Sequence, residues 1–259
     1  MPYAWESVKA MLSWLFGPKA EIPDDDVIYA IGDIHGRDDL LGRLHERIEA
    51  DLTAAGEEVR ATVIYLGDYV DRGPDSRAVI ERLLARPVRG AESIHLKGNH
   101  EDAMLRFLAG TKGGERWLAI GGGATANSYG VSLREAGKGS LPVTETRARL
   151  NAALPPRHLA FLRGLQLYHE AGDYCFVHAG IRPGLPLAEQ SAQDLLWIRG
   201  EFLNSRHRHE RIVVHGHSSG SEAVVRRNRI CIDTAAYATD RLTCLVLSGR
   251  TRRFIHADL

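Results

Sequence analysis

Three glycine-flanked polar clusters bring together side chains that could bind metal or move protons. They are Gly32-Asp33-Ile34-His35-Gly36, Gly67-Asp68-Tyr69-Val70-Asp71-Arg72-Gly73 and Gly98-Asn99-His100-Glu101. Asp33 and His35 stand two apart and can point the same way from an extended segment, while Asp68 adds a carboxylate able to bridge two cations. Further on, His178, and either His215 or His217 in Val213-Val214-His215-Gly216-His217, could join Asn99 around a second position. A mixed set of oxygen and nitrogen donors suits Mn²⁺, Fe or Zn²⁺ better than Mg²⁺ or Ca²⁺. Two such cations about 4 Å apart generate a nucleophile and clamp a phosphoryl group, which is a device for hydrolysing phosphate esters. Arg72 and Arg199 could neutralise the phosphoryl oxygens bidentately.

These clusters need elements that bring them together, and the pattern supplies them. Val27 to Ile31, Thr62 to Leu66 and Ser93 to Leu96 are short apolar runs, each followed by a helical period, so the first half is βαβαβα with parallel strands. Each polar cluster falls at the C-terminal end of one of these strands, where the loops of an open parallel sheet converge on one crevice. Beyond a Gly-rich middle (110 to 130), the runs Tyr174 to Val177, Ile212 to Val214, Ala223 to Val225, Ile230 to Ile232 and Leu242 to Leu247 read as strands. A helix is predicted over Leu154 to Leu165, opened by Pro155 and Pro156. The expected architecture is α/β, two packed mixed sheets flanked by helices. Residues 1–20 form a separate expectation: Trp5, Val8, Met11, Leu12, Leu15 and Phe16 recur at helical spacing, giving an amphipathic helix that Gly17-Pro18 ends.

Composition narrows the function classes. The chain has 259 residues and balances 33 Lys plus Arg against 33 Asp plus Glu, so no bulk charge attracts a phosphate backbone and nucleic acid is not an expected partner. No run approaches the roughly 18 apolar residues of a membrane span. Three scattered cysteines, Cys175, Cys231 and Cys244, without CxxC spacing, point to core thiols in a reducing compartment, and the expected location is the cytoplasm. The Arg206-His207-Arg208-His209 cluster reads as a solvated loop and Arg226 to Arg229 as a hairpin turn.

Taken together, GDIHG, GDYVDRG and GNHE, the VHAG histidine, the LLWIR segment and the late HGH resemble the phosphoprotein phosphatase family of metallophosphoesterases, in particular its compact bacterial serine/threonine phosphatases. The resemblance covers roughly Val27 to Leu247 and implies a β-sandwich core in a calcineurin-like metallophosphoesterase domain over residues 21–259, with a dinuclear metal centre, manganese first among the candidates. By resemblance, Asp33, His35 and Asp68 hold the first metal, Asp68 bridges, and Asn99, His178 and His217 complete the second. His100 matches the family's general acid, Asp71 the carboxylate that orients it, and Arg72 and Arg199 the phosphate-binding arginines, with Asn99 and His100 also facing the substrate phosphate. His215 is left a packing or supporting role.

The expected activity is removal of phosphate from phosphoserine and phosphothreonine in proteins by a hydroxide bridging the two metals, with a phosphorylated protein or peptide as partner and the oligomeric state open. The alternative is hydrolysis of dinucleoside polyphosphates at the same site, and Glu101, in place of the Asp of a GNHD sequence, leans the expectation away from it. A catalytically silent phosphoprotein-binding module is disfavoured by the intact ligand and acid set. Departures from the family pattern are Ser218-Ser219, where many relatives have Thr-Pro, and Ala235-Ala236, where Gly-Ala is usual. Trp117, Gly121 to Gly123 and Ser128 to Gly130 resemble an insertion of the bacterial subgroup that could line a substrate groove.

Overall fold

A computed structural model describes residues 20–56, 59–135 and 139–259. The expected N-terminal helix, ended by Gly17-Pro18, lies outside them. Strands β1 (Asp26–Ile31), β2 (Arg60–Tyr65) and β3 (Ala91–His95) run parallel, and each is followed by a helix: α1 (Asp38–Ala55), α2 (Ser76–Ala85) and α3 (Asn99–Leu108). An insertion then carries a short helical stretch kinked at Gly121 (Leu118–Gly122), α4 (Gly123–Ser128), the short strands β4 (Arg134–Glu135) and β5 (Gly139–Ser140), and α5 (Val143–Ala153). The predicted proline-opened helix follows as α6 (Pro156–Gly164), with proline in its first turn, where a missing N–H is harmless.

The second half builds β6 (Tyr168–Ala171), β7 (Tyr174–Val177), α7 (Ala192–Trp197), α8 (Gly200–Leu203), β8 (Ile212–His215), β9 (Val224–Val225), β10 (Arg229–Cys231), α9 (Ala236–Thr239), β11 (Arg241–Ser248) and β12 (Thr251–Asp258). One five-stranded sheet has the order β12-β11-β1-β2-β3 and the other β6-β7-β8-β10-β9; both mix parallel and antiparallel pairs. The architecture is therefore the expected α/β one of two mixed sheets with flanking helices. Alternation along β1 shows how the layers form. Ile28 and Ala30 face the second sheet, among Tyr174, Phe176, Val214 and Ile232, whereas Val27, Tyr29 and Ile31 face Leu40, Leu41, Leu44 and Ile48 of α1. Burial on both faces is why these strands read as nearly continuous apolar runs. On the outer face of the second sheet, Val177 and Val213 pack with Leu195, Ile198 and Phe202 of α7, α8 and their connection.

Strands β6 and β12 escaped the sequence reading. Each is a sheet edge, and polar residues interrupt both, as in Thr251-Arg252-Arg253-Phe254. Helix α5 was also missed, because only Thr146 and Leu150 of it are buried and it shows little apolar stripe. The turn at Arg226 to Arg229 does join a hairpin, β9 to β10, with the Arg226 N–H donating to the Arg229 carbonyl at 2.8 Å. Among the described residues no helix is long and apolar enough to cross a membrane, and the three cysteines are buried free thiols.

Two core histidines make stability depend on pH. His45 Nε2 lies 3.0 Å from the Tyr65 hydroxyl, and His95 stacks on the Tyr65 ring at 4.9 Å. Burial lowers each to about 4. Between pH 6.5 and 4 the unfolded chain takes up protons that the folded chain refuses, so stability falls as pH falls, by up to about 3 kcal/mol per histidine. Melting curves of wild type and a His45→Gln, His95→Gln double variant should converge in slope above pH 6.5, the wild type falling more steeply below it. Parallel curves from pH 7 to 4 would refute this.

Candidate active site

Three of the loops at C-terminal strand ends place their ligand-type side chains through an unusual backbone, whereas Asn99 and His100 open a regular helix. Of the seven non-glycine residues with positive φ among the described residues, five are His35 (47°), Asp68 (51°), Asp71 (75°), Arg72 (66°) and His217 (61°). Such conformations are costly for side-chain-bearing residues and concentrate where function requires them. Glycine is required beside them by close approach: a Cβ on Gly98 would lie 2.1 Å from Asp68 Oδ1, and one on Gly216 would lie 2.0 Å from Asp33 Oδ1. Ala235 also sits at positive φ (54°), which explains why glycine is usual there and puts a penalty of about 1 kcal/mol on this chain.

The structure brings all the predicted site residues together. Asp68 is central: Oδ2 lies 3.5 Å from His35 Nε2 and 3.9 Å from His100 Nε2, and Oδ1 lies 3.5 Å from His178 Nε2. Asn99 Oδ1 lies 2.9 Å from His178 Nε2 and 2.7 Å from His217 Nδ1. The His217 N–H donates to Asp33 Oδ2 at 3.0 Å, which ties the two halves of the cluster. Asp33, Asp68, His35 and His178 are all at most 2% exposed.

Several features of this cluster fit divalent cations. His35 Nδ1 donates to the Val70 carbonyl at 2.8 Å and His178 Nδ1 to the Leu66 carbonyl at 2.9 Å, so both Nε2 atoms are bare acceptors aimed into the cluster. His178 Nε2, Asn99 Oδ1 and Asp68 Oδ1 then form a group of acceptors with no donor among them. His35 Nε2 and Asp33 Oδ1 are buried without any hydrogen-bond partner. Two overlapping groups, His35 with Asp68 and His100, and Asp68 with His178 and His217, have ligand atoms within 4.8 Å of one another. Burial, then Asp233 and Asp68, push the Asp33 carboxyl well above its usual range, a conflict that a nearby cation would relieve. Burial likewise lowers His35 to about 3 and keeps His178 and His217 neutral, the form in which imidazole binds metal.

Beside this cluster stands an acid–imidazole pair. His100 Nδ1 donates to Asp71 Oδ2 at 2.6 Å. Burial alone would lower His100, but Asp68 and Asp71 more than reverse that and hold it above its ordinary value. Arg72 Nη2 lies 3.1 Å from His100 Nε2, and its guanidinium covers the Tyr237 ring at 4.8 Å. Across the cluster, Arg199 Nε donates to His217 Nε2 at 3.0 Å, so the two arginines flank the buried histidine and aspartate side chains. His215 is not among them. It is fully buried, its ring meets Phe202 edge-on at 5.1 Å, and Nδ1 bonds the Gly216 carbonyl. His207, Arg208 and His209 line a separate cavity of about 190 Å³ with Ile181, Leu185 and Val213.

Glu101 was mistaken for a substrate signal. Its side chain is fully buried, and its oxygens accept the N–H groups of Asp68 (2.9 Å), Tyr69 (2.8 Å), Val70 (3.2 Å) and Gly98 (2.9 Å). Burial and then Asp68 push its carboxyl up, to about 8, but four N–H donors favour the ionised form, which we take to be the one present. The residue clamps the Asp68 loop to the start of α3 and has no path to a substrate. Glu101→Gln puts an amide donor against those N–H groups and is expected to destabilise by about 2–4 kcal/mol. Urea denaturation of the variant checks this, and a change under 1 kcal/mol would exclude the clamp.

A buried aspartate–histidine cluster and two arginines at the strand ends of two mixed sheets form an arrangement suited to binding divalent cations and phosphate. The chain belongs to the calcineurin-like phosphoesterase family, whose pattern it matches over residues 27–242. It is 31% identical over 175 residues to a symmetrical bis(5'-nucleosyl)-tetraphosphatase of Acidovorax sp. (strain JS42), across 67% of this chain and 49% of that protein. Further bacterial relatives at about 30% identity bear the same name. The serine/threonine-protein phosphatase BSL2 of Arabidopsis thaliana is 40% identical over 84 residues, 32% of this chain and 8% of that protein. A solved structure provisionally described as a diadenosine tetraphosphatase shares the fold, with TM-score 0.61 and 20% identity over 92% of this chain and 98% of its own. The chain spans about half the length of the bacterial relatives it matches.

These relatives overturn the expected phosphoserine/phosphothreonine activity. The bacterial matches extend over about twice as much of this chain as the match to the plant phosphatase does. The expectation rested on motifs that surround metal and phosphate, which hydrolases of either substrate class need, and on Glu101, which is spent on backbone.

Proposed function

We propose that this chain hydrolyses dinucleoside polyphosphates, cleaving a bis(5'-nucleosyl) tetraphosphate symmetrically into two nucleoside diphosphates. The observation that carries the reading is the name shared by the bacterial relatives that match two thirds of the chain. The site's chemistry is compatible with it. Asp33, His35 and Asp68 would hold one divalent cation and Asp68, Asn99, His178 and His217 a second, Mn²⁺, Fe or Zn²⁺ by donor type, which together would supply charge neutralisation and an activated water. Arg72 and Arg199 flank the position of the attacked phosphoryl group and would bind its non-bridging oxygens. Water attacks one central phosphorus, the bond to the bridging oxygen breaks, and the electron pair leaves on the second nucleoside diphosphate. His100 faces that oxygen and gives it a proton or a hydrogen bond, held in direction by Asp71.

The test is product analysis. Protein stripped of metal and reloaded with Mn²⁺ is given diadenosine tetraphosphate and, separately, a phosphothreonine peptide. ADP as the sole nucleotide product, formed faster than phosphate is released from the peptide, is expected. ATP plus AMP would overturn the symmetrical cleavage, and faster release from the peptide would overturn the substrate class.

A further inference from the structure

We infer that Trp117 and Thr125, both on the insertion after α3, are positioning residues for the His100–Asp71 pair, which makes this insertion part of the catalytic apparatus. The inference rests on the reading of His100 as the group that assists the leaving oxygen. Asp71 is fully buried, and both oxygens of its carboxylate accept hydrogen bonds. Trp117 Nε1 donates to both oxygens, at 3.1 Å to Oδ1 and 2.9 Å to Oδ2. Thr125 Oγ1 donates to Oδ1 at 2.6 Å and accepts the Asp71 N–H at 2.8 Å. Ser76 Oγ, on α2, accepts the same N–H at 3.0 Å and lies 2.9 Å from Thr125 Oγ1. With Oδ1 and the backbone so held, the carboxylate cannot rotate, and Oδ2 is left facing His100 Nδ1.

The insertion is built to hold this grip. The Trp117 ring packs against Phe107, on the same helix that presents Asn99 and His100, with ring centroids 4.8 Å apart. Gly122 lies directly over the indole, where a Cβ would approach a ring carbon to 2.4 Å. Gly121, at φ 126°, turns its carbonyl to the Arg72 N–H at 3.4 Å. The kink at Gly121 thus sets a backbone hold on Arg72 between the two side-chain holds on Asp71, from Trp117 before it and Thr125 after it. A mere surface loop would not need to bury a tryptophan whose only polar atom serves the orienting carboxylate.

The test is a double-mutant cycle on kcat, using whichever of diadenosine tetraphosphate and p-nitrophenyl phosphate the Mn²⁺-loaded protein turns over faster. Thr125→Val, close in shape, removes one charge-assisted hydrogen bond and is expected to lower kcat about 10-fold with KM little changed. Thr125→Ser should restore it, and Trp117→Phe should match the loss. In the His100→Asn background the same changes should alter kcat by less than about 2-fold, because their effect passes through His100. Equal losses in both backgrounds would show a purely structural role and overturn the inference. If His100→Asn itself changes kcat less than about 3-fold, the reading of His100 fails instead. Thr125→Val keeps the test decisive should Trp117→Phe not fold.

Discussion

Asp68→Asn is expected to reduce turnover by about 10³-fold or more and to lower bound metal from two ions per chain. Among the described residues the carboxylate is the group shared by both candidate metal-binding sets, 3.5 Å from His35 Nε2 by one oxygen and 3.5 Å from His178 Nε2 by the other. An amide keeps the shape and loses the charge that makes bridging favourable. Several kcal/mol of transition-state stabilisation depend on the metals, and each 1.36 kcal/mol is a decade in rate. Thermal stability gives an independent reading. In wild type, a cation at 100 times its dissociation constant adds about 2.7 kcal/mol, which should raise Tm by roughly 5–10 °C. The variant should gain much less. Full metal content with unchanged activity would remove Asp68 from the centre of the site.

What could be read in the sequence follows from the range of the interactions. The metal-type residues announced themselves because each lies within two or three positions of a glycine at the end of an apolar run, a local pattern. His217 could be preferred over His215 only by resemblance, and the packing of His215 against Phe202 supplies the physical reason. Trp117 and Thr125 gave no local sign of their role, because they reach Asp71 across 46 and 54 residues of chain. Glu101 did carry a sign: it stands three residues after Gly98, where a helix-start glutamate turns back onto backbone N–H groups. Reading it as a substrate determinant ignored that spacing. The substrate class itself was beyond the motifs, since the proposed roles of Asp33, His35, Asp68, Asn99 and the arginines concern a phosphoryl group and not what is attached to it.

That last point sets the size of the effect expected at His100. Replacement by Asn keeps a donor near the leaving oxygen but removes the transferable proton and the pairing with Asp71. General acid–base groups contribute about 10²–10⁴-fold. A nucleoside diphosphate leaves as a stabilised phosphate oxyanion and needs protonation less than a serine alkoxide does, so on diadenosine tetraphosphate the loss in kcat should lie near 10²-fold, the low end of that range. On an alkyl phosphate, whose leaving oxygen is far more basic, the same substitution should cost more. Metal content is expected to stay at the wild-type level, because Asp33, His35, Asp68 and Asn99 are untouched, the His100 Nε2 stands 3.9 Å from Asp68 Oδ2, and the His100 N–H bond to Asp68 Oδ1 at 3.0 Å is a backbone contact that Asn also makes. Comparing the two substrates in one preparation separates the roles. A larger loss on the alkyl phosphate identifies proton donation, and equal losses on both would assign His100 to electrostatic binding of the phosphoryl group alongside Arg72.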